Sequence, residues 1–129
     1  MYRILSVEDD PMMQKLLQTA LVAAGFECRL STDGRGALAA ALSEKPDLIL
    51  LDVNLPDMTG IEICRALKAE PKTRHIPVLM LTGEAREVVT RVEGLDVGAE
   101  DYMFKPISPR VLIARISSIL KQAAKPTQL

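Results

Sequence analysis

Five short apolar runs punctuate the chain, at residues 3–7, 27–31, 47–51, 77–81 and 101–104. Their lengths suit strands. The third, Leu48-Ile49-Leu50-Leu51, and the fourth, Val78-Leu79-Met80-Leu81, are apolar at every position. A strand reads that way when both of its faces are covered, which predicts a parallel sheet with helices on each side. The second and fifth runs are more polar and suit the sheet edges. Stretches of helical period lie between the strands. Asp10-Pro11 is a start signal, with Asp as cap and Pro in the first turn, where its missing N–H is harmless. Leu16, Leu17, Ala20, Leu21 and Ala24 follow at helical spacing, and Gly25 marks a stop. A second helix is expected over about residues 36–44, before Pro46, and a third over about 60–69, with Ile61, Cys64, Ala66 and Leu67 as its apolar stripe. A fourth is expected over about 86–95. A fifth follows Pro109, with Leu112, Ile113, Ile116, Ile119 and Leu120 facing inward.

Strand and helix alternate five times, which is a doubly wound (βα)5 α/β fold. Right-handed crossovers between parallel strands put helices on both faces. In such a sheet the functional crevice lies beyond the carboxyl ends of the strands.

Composition narrows the class. The chain has 129 residues, enough for one domain with a real core. The expected division is a domain over residues 1–122 and a tail or start of a linker over 123–129. Sixteen basic and seventeen acidic residues leave a formal charge of −1, and there are only four aromatic residues. That balance argues against direct nucleic-acid binding. No run of eighteen apolar residues and no secretory pattern is present, so no membrane span is expected and the location read from the sequence is the cytoplasm. Two cysteines, Cys28 and Cys64, make no disulfide framework and suit a reducing compartment.

The chemistry gathers where the strands end. Strand one runs into Glu8-Asp9-Asp10, strand three into Asp52, strand four into Thr82-Gly83 and strand five into Lys105-Pro106. Taken singly, each residue has a plain explanation: Asp10 caps a helix, Asp52 is a turn residue, Thr82 is a helix-capping hydroxyl and Lys105 is a solvated cation. His75, the one histidine, sits in a polar loop. Together they fall at one edge of one sheet, and clustered carboxylates repel unless something compensates. A hard divalent cation such as Mg²⁺ takes oxygen ligands. Glu8, Asp9 and Asp52 carry −3, and Mg²⁺ with Lys105 carries +3. A neutralised crevice admits a phosphoryl group, and an ionised carboxylate can accept it as an acyl phosphate.

These residues resemble the receiver domain of two-component response regulators over about residues 3–122. The resemblance is carried by Glu8-Asp9, by Asp52-Val53-Asn54-Leu55-Pro56-Asp57-Met58-Thr59-Gly60, by Pro77 through Thr82-Gly83, and by Gly98-Ala99-Glu100-Asp101-Tyr102-Met103-Phe104-Lys105-Pro106. It implies a flavodoxin-like sheet of order 2-1-3-4-5 and a phosphorelay signalling domain rather than an enzyme. It further implies that Asp52 is the phospho-acceptor. Asp9, Asp52 and the backbone carbonyl of Asn54 would hold Mg²⁺ or Mn²⁺, with Glu8 reaching the metal through water. Thr82 and Lys105 would bind the phosphoryl oxygens, and Tyr102 would turn inward as the switch aromatic. The bond before Pro106 would be cis, and Gly60 would serve a tight turn. Glu8 stands where Asp is commoner and Gly83 where Ala is frequent. Asn54 and Glu84 would flank the path of a hydrolytic water.

The implied partners are a sensor histidine kinase or a histidine phosphotransfer protein. The output would pass through the face of the fourth helix, fifth strand and fifth helix, to an output partner or a second copy in a homodimer. Two other readings compete. A Toprim-like metal-dependent nucleic-acid enzyme also places Glu after one strand and acids after another, but Asp52-Val53-Asn54 lacks the second acid. A flavodoxin-like nucleotide-binding module needs small residues where Glu8-Asp9-Asp10 would repel phosphate.

Overall fold

The computed structural model describes residues 1–83 and 97–124. Five strands, β1 (Arg3–Val7), β2 (Glu27–Ser31), β3 (Leu48–Asp52), β4 (Val78–Thr82) and β5 (Asp101–Phe104), form one sheet in the order β2-β1-β3-β4-β5. All four pairings are parallel. Helices α1 (Pro11–Ala23), α2 (Gly34–Glu44) and α3 (Gly60–Ala69) and a C-terminal helix (Pro109–Ala124) accompany it. The expected fourth helix, Glu84 and residues 125–129 lie outside the described residues.

The strand periodicity of two divides the core. Leu5, Val7, Ile49, Leu51, Val78 and Met80 face α2 and α3. Ile4, Leu48, Leu50, Leu79 and Leu81 face α1 and the C-terminal helix, where Leu17, Leu21, Leu112, Ile116 and Leu120 meet them. β3 and β4 are buried at every position, as the unbroken apolar runs require. β2 and β5 are the edges and are partly exposed. Each buried Leu or Ile contributes roughly 1.5–3 kcal/mol of transfer free energy, so the central strands are a rigid platform.

Several boundaries differ from expectation for local reasons. β3 and β4 each run one residue further, because Asp52 pairs with Leu81 and the ladder continues through Val53 N–H to the Leu81 carbonyl. Asp52 and Thr82 are therefore held within the sheet. α2 begins two residues early, because Asp33 caps it by accepting from Gly36 N–H at 2.7 Å. It ends at Lys45, whose φ of 49° is left-handed. The C-terminal helix runs through Ala124, two residues into the expected tail.

Candidate functional site: an acidic crevice at the carboxyl edge of the sheet

β1, β3, β4 and β5 deliver their last residues to one end of the sheet. Glu8 follows β1 and is 1 % exposed. Its Oε2 accepts from Asp10 N–H at 3.1 Å, and its main-chain carbonyl accepts from the Gln14 side chain at 2.8 Å. Asp9 is exposed. Asp10 caps α1 and accepts from Met12 N–H at 3.3 Å, so its carboxylate is engaged away from the crevice. Asp52 ends β3 and is 5 % exposed, with Oδ1 accepting from Asn54 N–H at 3.4 Å.

Carboxylate oxygens of Glu8, Asp9 and Asp52 all lie within 4.8 Å of one another. Lys105 reaches in from the end of β5, with Nζ at 3.2 Å from Glu8 Oε1 and 3.4 Å from Asp52 Oδ1. Its backbone N–H also donates to the Thr82 carbonyl at 2.6 Å, and the Lys105–Pro106 peptide bond is cis. Thr82 is buried beside it, at the end of β4.

The local folding of the β3–α3 loop depends on Gly60. A Cβ there would lie 2.7 Å from the Asp52 carbonyl oxygen and 2.8 Å from Val53 Cα, so the bare Cα lets α3 start directly against the strand end. Gly60 N–H donates to the Val53 carbonyl at 2.7 Å. Thr59 and Glu62 then close a capping box that fixes the first turn.

Among the described residues, the three carboxylates of this cluster against one ammonium leave two negative charges in excess. Burial pushes the Glu8 carboxyl above its usual range, and the neighbouring Asp52 charge adds to that, against the Asp10 N–H and Lys105. Lys105 responds in the opposite sense. Burial disfavours its charge, yet Asp52 and Glu8 outweigh that and raise its pKa. An all-oxygen donor set with excess negative charge fits a hard dication, which commonly uses one or two carboxylates and retains waters.

Of the residues singled out in the sequence, Glu8, Asp9, Asp52 and Lys105 converge. Asn54 is exposed on the adjoining loop, and Thr82 lies one strand away. Tyr102 sits further along β5, 6 % exposed, with its ring centroid 6.1 Å from that of Phe104. Two contributors were not read from the sequence. Gln14 braces the Glu8 main chain, and Asp57 ties the β3–α3 loop to α2 by accepting from Gly34 N–H at 2.7 Å and Arg35 N–H at 3.1 Å. Asp57 lies inside the Asp52–Gly60 motif, but a turn acid carries no mark of a partner twenty-three positions earlier.

The model of the response regulator receiver domain matches residues 4–117, which takes in both the sheet and the crevice. The chain is a response regulator receiver domain. Among curated relatives, this receiver domain is 43 % identical over 119 residues to the phosphate regulon transcriptional regulatory protein PhoB of Pseudomonas aeruginosa, covering 92 % of this chain and 52 % of that protein. It is also 43 % identical over 120 residues to the response regulator PleD of Caulobacter vibrioides, covering 92 % of this chain and 26 % of that one. The chain thus spans about half the length, or less, of these relatives.

Among solved structures, the chemotaxis protein CheY4 of Vibrio cholerae is similar with a TM-score of 0.86 at 34 % identity, over 92 % of this chain and 98 % of that one. The signal receiver domain of a histidine kinase from Syntrophus aciditrophicus gives 0.88 at 34 %, over 100 % and 97 %. The receiver fold and the strand order 2-1-3-4-5 are as the sequence implied. The Toprim reading finds no support in these matches. No helix of the described residues is long and apolar enough to cross a membrane.

Proposed function

We propose that Asp52 accepts a phosphoryl group from a phosphohistidine on a sensor histidine kinase or a histidine phosphotransfer protein. The single observation carrying this reading is the burial of Asp52 at the end of the central strand, beside the Glu8–Asp9 pair and within reach of Lys105. Asp9, Asp52 and the Asn54 carbonyl would hold Mg²⁺ (or Mn²⁺), with Glu8 reaching it through water. When bound, the dication supplies charge neutralisation for the incoming phosphoryl oxygens.

The rest is chemistry of this chain. An Asp52 carboxylate oxygen attacks phosphorus in line, the P–N bond breaks, and its electron pair leaves with the imidazole. Asp52 loses its charge as the acyl phosphate forms, and the phosphoryl group brings about −2. Lys105 then stays with the new anion, and the Thr82 hydroxyl turns to donate to it. The same groups promote both the gain of the phosphoryl group and its hydrolysis, so the domain assists its own phosphorylation and dephosphorylation. Asn54 flanks the water's approach.

Movement of Thr82 opens space for Tyr102, and the face containing β5 and the C-terminal helix changes shape. Two conformations exchange beforehand, and phosphorylation shifts their populations. That face engages an output partner, an output domain or a second copy. Residues 1–122 form the phospho-accepting unit, and 123–129 are a C-terminal tail or the start of a linker.

The test uses a small phosphodonor with Mg²⁺ and intact-mass detection. The parent chain gains one phosphoryl group, which hydroxylamine removes, and Asp52→Ala gains none. Stable labelling of the variant at another residue would refute the assignment.

A further inference from the structure

The β3–α3 loop carries the Asn54 carbonyl, and its internal bonds do not fix where it points. The loop is a closed hairpin: Asn54 bridges Thr59, and Gly60 N–H donates to the Val53 carbonyl. Such a unit can still tilt as a body about the end of β3. The restraint on tilt comes from outside it. Asp57, near the tip, places one carboxylate oxygen 2.7 Å from Gly34 N and the other 3.1 Å from Arg35 N.

These are N–H groups of the first turn of α2, which have no partner within the helix. The helix's own cap, Asp33, takes the next one, Gly36 N–H. Two of the three are thus satisfied by a residue more than twenty positions downstream. The hydrogen bond from Gly34 foremost holds the Asp57 carboxyl below the usual carboxylate range, against desolvation and with the bond from Arg35 adding to it.

The fit is steric as well. A Cβ at Gly34 would lie 2.8 Å from Met58 Sδ and 3.0 Å from Met58 Cβ, so any side chain there would force Met58 to shift. The far side of this tie is packed into the core. Ala37 and Ala41 bury α2 against the core layer that includes Leu5 and Val7 of β1. The same helix end is joined to the other half of the crevice. Glu8 N–H donates to the Ser31 carbonyl at 3.0 Å, and Ser31 Oγ donates to the Asp33 carbonyl at 3.1 Å. The end of α2 therefore braces both the Glu8 segment and the Asn54 loop.

We infer that Asp57 is a positioning residue that clamps the β3–α3 loop onto α2, holding the Asn54 carbonyl in register with the carboxylates of Glu8, Asp9 and Asp52. This rests on the reading of Asn54 as a metal ligand. A helix-capping role alone would make Asp57 matter for stability and leave metal binding untouched.

Calorimetric titration of the full chain with MgCl₂ separates the two. Asp57→Ala weakens Mg²⁺ binding by about tenfold, the low end of outer-shell effects because the ligand is reached through the backbone. Asp57→Asn falls between, since it keeps an acceptor for Gly34 but turns an amide toward Arg35 N–H. Thr73→Val serves as control. It removes the buried hydroxyl that donates to the Leu67 carbonyl at 2.7 Å, beyond the far end of α3, and lowers stability without changing Mg²⁺ affinity. Without metal, Asn54 and Thr59 amide hydrogens exchange faster in both Asp57 variants and at the parent rate in Thr73→Val. Parent-like Mg²⁺ affinity in Asp57→Ala or, should that variant not fold, in Asp57→Asn overturns the inference while leaving the metal reading intact. A parent chain that takes up no Mg²⁺ overturns both.

Discussion

The two edges of the sheet are built on opposite electrostatic plans. At the amino edge, acids and bases are matched. Arg3 pairs with Glu27 at 2.9 Å, and its guanidinium also donates to the Glu44 carbonyl. Asp47 accepts from Arg3 N–H at 2.7 Å. Arg29 bridges Glu27 and Glu44, and Lys68 pairs with Glu100 at 3.1 Å while donating to the Ile76 carbonyl. At the carboxyl edge, the buried acids Glu8 and Asp52 share Lys105, and the exposed Asp9 adds a third carboxylate within 4.8 Å of them. The same strands supply both edges, so the difference is not imposed by the fold. One edge is arranged for its own stability, and the other, among the described residues, is left short of positive charge. Function accepts a local loss of stability.

Removing Lys105, the one crevice cation among the described residues, disrupts the carboxyl edge most. Lys105→Met leaves Glu8 and Asp52 buried without their shared partner. Loss of one member of a fully buried pair costs roughly 3–5 kcal/mol, and the partial exposure of Lys105 brings the expected loss to about 2 kcal/mol. Urea unfolding in the presence of a chelator measures it. Added Mg²⁺ should recover part of the loss, because the dication replaces the missing charge by binding only the folded state. A variant as stable as the parent would mean that the acids do not repel.

The next test changes the sign. Asp52→Asn removes one negative charge while keeping an oxygen to accept from Lys105 and Asn54 N–H. We expect the metal-free protein to gain about 1 kcal/mol, read as a higher urea midpoint with chelator present, and to lose most of its stabilisation by Mg²⁺. The Glu8 carboxyl, raised by burial and then by the Asp52 charge, should move back toward its ordinary range in this variant. In the metal-free parent, Glu8 favours the fold most below its unfolded pKa, and that contribution disappears as pH rises through the raised folded value. Carboxyl carbon shifts across an acid titration report both the position and its change.

The platform was more legible in the sequence than the braces. Leu48–Leu51 and Val78–Leu81 announce buried strands because burial on both faces removes every polar position. Asp10-Pro11 announces a helix start because capping is local chemistry. The convergence of Glu8, Asp9, Asp52 and Lys105 followed once parallel strands were assigned, since parallel order sends every carboxyl end to one edge. The early start of α2 was missed because Gly34, a poor helix former, is held by the Asp57 carboxylate while Asp33 caps the turn at Gly36 N–H. Asp57 and Gln14 were missed for a related reason. A hydrogen bond from a side chain to a distant or irregular backbone group leaves no periodicity, and only the folded chain brings its ends together.

The smallest effect is expected at the amino edge, and it completes the contrast. Arg3 and Glu27 are partly exposed, so their pairing is screened by solvent and contributes little to stability. Its signature is in titration. The hydrogen bond from Arg3 foremost, with the Arg3 charge adding to it and against desolvation, holds the Glu27 carboxyl below its usual range. A lowered acid stabilises the fold above its unfolded pKa, and the contribution is lost as pH falls through the lower folded value, the reverse of Glu8. Arg3→Gln should return Glu27 toward its ordinary range while leaving the Glu8 titration and Mg²⁺ binding unchanged, as carboxyl carbon shifts and calorimetry would show. A change in Mg²⁺ affinity on this substitution would mean that the two edges are energetically coupled through β1, and that the crevice is not electrostatically independent of the opposite end of the sheet.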